Sequence, residues 1–243
     1  MEESEGRLSK PVAVIACIAM TLFYVAILYA PTLILRLPPP QSYENFMIRR
    51  FICAAVCSVA SVIFCALVLP ITSGEASYSF GVYGIRSDHF APVTEELVFR
   101  ACMIPLLLCG GFKAYNAIFL CPTFFSLAHL NHMMEIYSRH NYSLLKASLV
   151  VGLQLGYTVV FGSYASFLFI RTGNIVAPLV AHAFCNYMGL PVLFVHGKGP
   201  VSIAFVAGMV SFVWLLFPIT QPDLYNENTN NCRCWQGYCS WNQ

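Results

Sequence analysis

The sequence predicts an all-α protein, a polytopic transmembrane helical bundle of about seven membrane helices. Hydrophobic residues make up 58% of the 243 residues and charged residues only 10%, whereas soluble domains carry about 25% charged residues. Apolar runs of about 20 residues, the length that crosses a bilayer, recur along the chain. These observations exclude a water-soluble domain. The net charge of +2, without a basic tract, indicates no nucleic-acid partner.

Each predicted membrane helix is an apolar run bounded by polar, proline or glycine residues. The first run is too long for the h-region of a signal peptide, which has about 7 to 15 residues. Pro92 suits the first turn of the third helix, and Gly110-Gly111 ends it. The fifth run is long enough to tilt or to break near one of its glycines. The predicted helices are 12–35, 51–71, 92–109, 114–134, 144–170, 175–195 and 201–217.

Three regions are predicted along the chain. Residues 1–90 hold the N-terminal membrane helices and a loop, and residues 91–220 form the membrane core. Residues 221–243 form a polar, Cys-containing tail.

Two adjacent carboxylates and an arginine stand out in the third predicted helix. Glu95, Glu96 and Arg100 lie in an apolar stretch, where each ionisable group at membrane depth costs about 2.5 to 3.5 kcal/mol on insertion scales. Glu96 and Arg100 have i, i+4 spacing, so we expect them to share a face and pair. Glu95 lies about 100° around the helix, which leaves it as the freer carboxylate and a candidate general base.

Two further polar motifs lie in apolar surroundings downstream. Phe125 and His129 have i, i+4 spacing, so an apolar ring can lie one turn from the imidazole and exclude water. His182 and Asn186 share the same spacing and can present two hydrogen-bond donors on one face, as in a site that stabilises an oxyanion. The spacing of His129 and His132 could in principle bind a metal.

These residue types together suit hydrolysis of a peptide bond within the membrane. A Glu/His pair can activate water by general-base catalysis, and the imidazole can then protonate the leaving amine. The sequence contains neither Gly-x-Ser-x-Gly nor His-Glu-x-x-His. On the residues alone, ion translocation or transport and a purely structural role stay open beside catalysis.

The three motifs, taken in order, resemble the signature of a known family. Three ordered motifs with these spacings are specific, whereas the Glu-Glu pair alone is not. The resemblance covers about residues 91–225 and is to the CPBP intramembrane proteases, in particular their type II CAAX prenyl endopeptidase branch, also called Ras-converting enzyme. The matching residues are Glu95-Glu96-x-x-x-Arg100, Phe125-x-x-x-His129 and His182-x-x-x-Asn186.

The resemblance implies a multi-pass enzyme of the endoplasmic reticulum membrane, with a conical active-site cavity open to the membrane. Members of the family remove the last three residues from farnesylated or geranylgeranylated Cys-a-a-X proteins, without a metal or other cofactor. Residues 91–220 would be the catalytic CPBP-type core. By position, the water-activating pair is Glu95 and His129, the oxyanion hole is His182 and Asn186, and the supporting residues are Glu96, Arg100 and Phe125.

The resemblance also implies the partners, which are prenylated Cys-a-a-X proteins, including Ras-like small GTPases, and membrane lipid. A prenyl chain partitions into the bilayer at about 0.8 kcal/mol per buried CH₂. It can therefore deliver the scissile bond laterally to a site between helices.

One region departs from the family pattern. Family members have a longer stretch before the acidic motif, with a further membrane span, whereas about 20 residues separate the second apolar run from Pro92 here. We expect a shortened isoform or a gene-model deletion with its join at residues 88–91.

Two alternatives to the metal-independent protease stay open. One is a metal-dependent protease with His129, His132 and His182 as ligands. The other is an inactive or non-enzymatic membrane protein that binds prenylated tails without cutting them, an alternative motivated by the shortened N-terminal half.

Overall fold

The computed structural model describes residues 8–38, 40, 42–69, 90–128, 130, 144–188 and 199–225. Within those ranges the regular structure is helical and contains no strand, which confirms the predicted all-α class. The helices are α1 (Lys10–Leu33), α2 (Tyr43–Val68), α3 (Phe90–Glu96), α4 (Met103–Cys109), α5 (Ala114–Ala128), α6 (Leu144–Thr172), α7 (Val176–Met188) and α8 (Gly199–Ile219), followed by a 3₁₀ turn at Pro222–Leu224.

Several of these helices have the length and composition of membrane spans. Among the described residues, three stretches are long and apolar enough to cross a bilayer, and two shorter helices are also apolar. This agrees with a helical membrane bundle. The total of about seven spans stays a prediction, because residues 70–71, 129, 131–134 and 189–195 of the predicted helices lie outside the described ranges. The long stretches are Lys10–Leu33, Ile48–Val68 and Ser148–Thr172, and the shorter ones are Ala114–Ala128 and Ile203–Ile219.

Helix α2 begins well before the apolar run that predicted it. Arg49 and Arg50, which precede the predicted start of this helix at residue 51, lie inside the helix. The Ser42 hydroxyl accepts a hydrogen bond from the Asn45 backbone N–H at 3.2 Å, which is an N-cap. Arg49 donates to the Pro38 carbonyl at 2.6 Å. The predicted start was wrong because an apolar run marks only the part of a helix within the hydrocarbon, and capped polar turns extend it.

The acidic motif lies in a continuous helix with a widened turn. Residues 90–109, here called the motif helix, comprise α3, a π-helical turn at Leu97–Cys102 and α4. Its end at Gly110 confirms the prediction, and Gly111 follows with a positive φ of 80°, a conformation that glycine adopts without a steric penalty. The π turn was not predicted. Such turns occur frequently at functional sites.

Helix α6 is unbroken from Leu144 to Thr172. Of the two possibilities that its length allowed, a break near Gly152, Gly156 or Gly162 is therefore wrong. Glycine weakens a helix but does not end it where the flanking residues are apolar and the backbone hydrogen bonds continue in a membrane.

The motif helix lies at the centre of the buried core. Most of the largest fully buried side chains belong to it, including those of Glu96 and Arg100. Helices α1, α2, α5 and α6 contribute the surrounding core residues. The Ser58 hydroxyl in α2 donates to the Thr94 carbonyl at 3.2 Å, so an N-terminal helix contacts the motif directly. The domain division at residue 90 stays a prediction, and residues 226–243 of the tail lie outside the described ranges.

Candidate active site

Glu96 and Arg100 form a buried ion pair in the motif helix. Arg100 Nη1 lies 3.0 Å from Glu96 Oε1, and neither side chain is exposed. The pairing expected from their spacing is confirmed. Because both charges are removed from water, loss of one partner would leave an uncompensated buried charge, at a cost of about 3 to 5 kcal/mol.

The Arg100 guanidinium also lies over an aromatic ring of α5. Its Cζ is 4.8 Å from the ring centroid of Phe125, within the range of about 6 Å for a cation–π contact. Phe125 in turn packs against Phe99 of the motif helix, with ring centroids 4.8 Å apart. The conformation of Arg100 is therefore fixed by two elements, and Phe125 contacts the ion pair. The predicted role of Phe125 beside His129 stays a prediction.

His182 of α7 completes the cluster. Its Nδ1 lies 2.7 Å from Glu96 Oε1, and its Nε2 lies 3.6 Å from Glu95 Oε2. An ionised carboxylate only accepts hydrogen bonds, so Nδ1 donates to Glu96. One oxygen of Glu96 thus accepts from both His182 and Arg100, and the imidazole lies between the two neighbouring glutamates.

Aromatic rings line the imidazole. The Phe125 ring meets His182 edge-on with centroids 6.3 Å apart, and the Phe161 ring of α6 lies 5.3 Å away. His182 is buried. Rings in these positions limit the access of water, and the lower local dielectric strengthens the hydrogen bonds of the cluster.

The two glutamates differ in accessibility. The Glu95 side chain is 19% exposed, whereas that of Glu96 is fully buried. The 3.6 Å separation of Glu95 from His182 is too long for a direct hydrogen bond. Glu95 is thus the carboxylate that water or a substrate can reach, as its position around the helix led us to expect. Its role as general base stays a prediction.

The other predicted site residues are placed differently. Asn186 follows His182 by one turn of α7 and is exposed, so it does not share the burial of the Glu96 cluster. His129 lies outside the described residues, immediately after the last residue of α5. The structure therefore brings together Glu95, Glu96, Arg100, Phe125 and His182, and the roles predicted for Asn186 and His129 stay predictions.

Some polar atoms of the cluster have no hydrogen-bond partner in the described part of the chain. They are Glu96 Oε2 and Arg100 Nε and Nη2. A buried unsatisfied group costs about 1 to 3 kcal/mol. Such groups are rare in folded proteins and call for a specific explanation, of which a catalytic role is one.

The metal-dependent alternative is not decided by geometry. Within the described ranges, no three side chains among His, Cys, Asp and Glu are grouped so that they could hold a metal ion. Two of the three proposed ligands, His129 and His132, lie outside those ranges. Chelation is therefore the test of that alternative.

Two contacts of the site were missed from the sequence. The contact between His182 and Glu96 could have been inferred, because a buried carboxylate with a single arginine partner needs further donors and the apolar core offers few. Phe161 gave no signal, because it is one of 19 phenylalanines and belongs to none of the motifs.

Comparison with known proteins identifies the family. The profile of the family described as Type II CAAX prenyl endopeptidase Rce1-like matches residues 77–188. A protein of Arabidopsis thaliana named CAAX prenyl protease 2 is 54% identical over 97% of this chain and 98% of its own length. The chain belongs to this Rce1-like family.

More distant relatives match a smaller part of this Rce1-like chain. The human protein named CAAX prenyl protease 2 is 42% identical over 59% of this chain and 44% of its own length. The Saccharomyces cerevisiae protein of the same name is 32% identical over 45% of this chain and 36% of its own length. No solved structure matches the chain significantly.

The matches also bear on the predicted departure from the family. The alignment with the Arabidopsis relative extends over 304 residues, more than the 243 residues of this Rce1-like chain. The relative therefore contains sequence that this chain lacks. A shortened isoform or a gene-model deletion, with its join at residues 88–91, stays a prediction.

Proposed function

We propose that this Rce1-like chain is an intramembrane endopeptidase that removes the C-terminal tripeptide from farnesylated or geranylgeranylated Cys-a-a-X proteins. The observation that carries the proposal is the buried cluster of Glu95, Glu96, Arg100 and His182 in a chain whose relatives are named CAAX prenyl protease 2. We propose the endoplasmic reticulum membrane as its location and Ras-like small GTPases among its substrates.

Water activation falls to Glu95 with His129. Glu95 is the accessible carboxylate, and it takes a proton from water as the water oxygen attacks the carbonyl carbon of the prenylated cysteine. Glu95 passes this proton to His129, which delivers it to the nitrogen of the leaving amine as the carbon–nitrogen bond breaks. Glu95 is then ionised again. The new carboxyl group releases the second proton of the water, so the products are a prenyl-cysteine carboxylate and a free tripeptide.

The developing oxyanion is stabilised by donors from α7. Because Nδ1 of His182 already donates to Glu96, Nε2 is the ring nitrogen left for the oxyanion. Asn186, one turn further along α7 and exposed, supplies the second donor.

Glu96 and Arg100 act through His182. Arg100 fixes Glu96 by their ion pair, and Glu96 in turn fixes the orientation of the imidazole by accepting from Nδ1. A partner that orients a histidine in this way is a general feature of catalytic imidazoles. These two residues therefore position the site and do not touch the reacting atoms.

The prenyl group accounts for substrate recognition by an intramembrane site. Lipid partitioning at about 0.8 kcal/mol per buried CH₂ concentrates prenylated tails in the bilayer. The scissile bond can then approach the motif helix laterally from the bilayer. The prenyl group passes between apolar helix surfaces, so the substrate needs no polar entrance.

The test is release of the tripeptide from a farnesylated Cys-a-a-X peptide by the full chain in liposomes, measured by mass spectrometry. Liposomes without protein and the same peptide without its farnesyl group are the controls. We expect release from the farnesylated peptide in the presence of the protein. Binding of the farnesylated peptide without any release would overturn the proposal and support the non-enzymatic alternative.

A further inference from the structure

Helix α6 approaches the ion pair at Gly162. A Cβ atom built on Gly162 would lie 3.1 Å from Arg100 Nη2 and 2.8 Å from the Cβ of Pro122. Carbon atoms that do not bond to each other pack at about 3.5 to 4.0 Å. Arg100 and Pro122 therefore occupy the space that a side chain at position 162 would need, so α6 can lie this close to Arg100 only with glycine at that position.

The other glycines of α6 have no such constraint. Gly152 and Gly156 are exposed, and a Cβ atom added to either would meet nothing within 4 Å. Neither they nor Gly162 has a positive φ. The requirement at Gly162 is thus one of space and not of backbone conformation, and it is confined to the turn of α6 that faces Arg100.

Both residues that a side chain at position 162 would meet are connected to the guanidinium. Arg100 Nη2 belongs to it directly. Pro122 lies one turn before Phe125 in α5, and the Phe125 ring lies under Arg100 Cζ at 4.8 Å. A shift of α5 away from α6 would therefore move the ring on which the guanidinium rests.

We infer that Gly162 is a positioning residue of the active site, because its bare backbone lets α6 hold the Arg100 guanidinium against Glu96 and so fixes His182. The inference rests on the proposed endopeptidase function. The path is short: Arg100 Nη1 to Glu96 Oε1 is 3.0 Å, and that same oxygen is 2.7 Å from His182 Nδ1. A displacement of Arg100 would therefore also move His182, because both contact the same oxygen, Glu96 Oε1.

The first measurement compares Gly162→Ala with Gly156→Ala in the liposome cleavage assay. Misplacement of a catalytic group by about 1 Å can cost about 10²-fold in rate. We expect Gly162→Ala to lower kcat by about tenfold or more, with KM for the farnesylated peptide within about twofold of wild type. Gly156→Ala, a matched change on the same helix, should retain wild-type kcat and KM. Equal kcat values for the two variants would overturn the inference.

A double-mutant cycle separates positioning of Arg100 from packing of α5 on α6. Arg100→Lys removes Nη2, so a methyl group at 162 no longer meets a guanidinium. If Gly162 acts through Arg100, adding Gly162→Ala to Arg100→Lys lowers kcat by less than it does in wild type. Equal factors in the two backgrounds would overturn the inference, because the effect would then come from Pro122 alone. Where Arg100→Lys leaves no measurable kcat, the same cycle is read on the midpoint of thermal unfolding.

If Gly162→Ala fails to fold, the folding of the double variant with Arg100→Lys decides the inference. Recovery of folded Gly162→Ala when Arg100→Lys is added supports the inference, and failure to fold in both backgrounds contradicts it. Wild-type protein that cleaves no prenylated peptide contradicts the proposed function instead. Failure of the function and failure of the inference are therefore distinguishable.

Discussion

At the scale of single residues, Glu95 and Glu96 are neighbours with different surroundings. Glu96 is fully buried and accepts from Arg100 and His182, whereas Glu95 keeps a partly exposed carboxylate. One residue of helical rotation, about 100°, produces this difference. The two positions should therefore respond differently to the same substitution.

We expect Glu96→Gln to unfold at a lower temperature than Glu95→Gln. The first change leaves the buried Arg100 charge without its counter-charge, at a cost of about 3 to 5 kcal/mol, whereas the second neutralises a partly exposed group. Both variants should lose activity. Thermal unfolding in detergent measures the difference, with wild type as reference. Equal unfolding temperatures for the two variants would contradict the burial of the ion pair.

Phe161 should be needed for activity although it carries no chemistry. Its ring lies 5.3 Å from that of His182, and Phe161→Ala would open the imidazole to water and to other rotamers. We expect a lower kcat at nearly unchanged folding. Leu153→Ala, a truncation at an exposed position of the same helix, is the control. A kcat for Phe161→Ala that matches the control would show that the ring does not hold His182.

The sequence predicted the pair of Glu96 and Arg100, which lies within one helix, and missed the contacts of His182 with Glu96 and Phe161, which join helices. The spacing of Glu96 and Arg100 predicted their contact because helix geometry alone fixes it. The contact between Glu96 and His182 depends on how the motif helix packs against α7, which no local pattern records. The same holds for Phe161.

At the scale of elements, the end of the motif helix packs closely against α1. Gly110 at its end approaches α1 so closely that an added Cβ would lie 2.5 Å from the Cβ of Ala13, a residue that is fully buried. Gly110 has an α-region backbone conformation. Its requirement is therefore for space between helices.

Gly110→Ala should lower the stability of the bundle. Inserting a methyl group into a packed interface typically costs about 1 to 3 kcal/mol, and the backbone itself tolerates alanine. Gly208→Ala is the matched control, because a Cβ at that position of α8 would meet nothing within 4 Å. The midpoint of thermal unfolding should fall for Gly110→Ala and stay near wild type for Gly208→Ala. An equal midpoint for both would argue against the close approach of α1.

Element boundaries were predicted where the residues themselves end a helix. Gly110-Gly111 gave the end of the motif helix correctly. The start of α2 was missed, because its first turns are polar and lie before the apolar run. Apolar periodicity predicts only an ordinary helix, so the π turn at Leu97–Cys102 was not predicted.

At the scale of the whole molecule, the amino-acid composition was sufficient to predict a helical membrane protein. A chain with 58% hydrophobic and 10% charged residues must present an apolar surface, and only helices or closed barrels satisfy their backbone in lipid. Polar residues that could act in catalysis are then few, and their motifs are easy to recognise in the apolar sequence. What composition cannot provide is the packing that brings α6 and α7 to the motif helix.

Stringent chelation should leave the activity of the intact protein unchanged. In the proposed mechanism the water is activated by Glu95 and His129, and no step requires a metal ion. Turnover of a farnesylated peptide before and after chelation, with metal analysis of the same sample, measures this. Loss of turnover that zinc restores would favour the metal-dependent alternative.

The most direct test of the central claim compares wild type with Glu95→Ala and His129→Ala in cleavage of a farnesylated Cys-a-a-X peptide. Loss of a general acid or base costs about 10² to 10⁴-fold in rate. We predict tripeptide release by wild type and a loss of that size in both variants, with unfolding temperatures close to wild type. Full activity in folded Glu95→Ala would contradict the account.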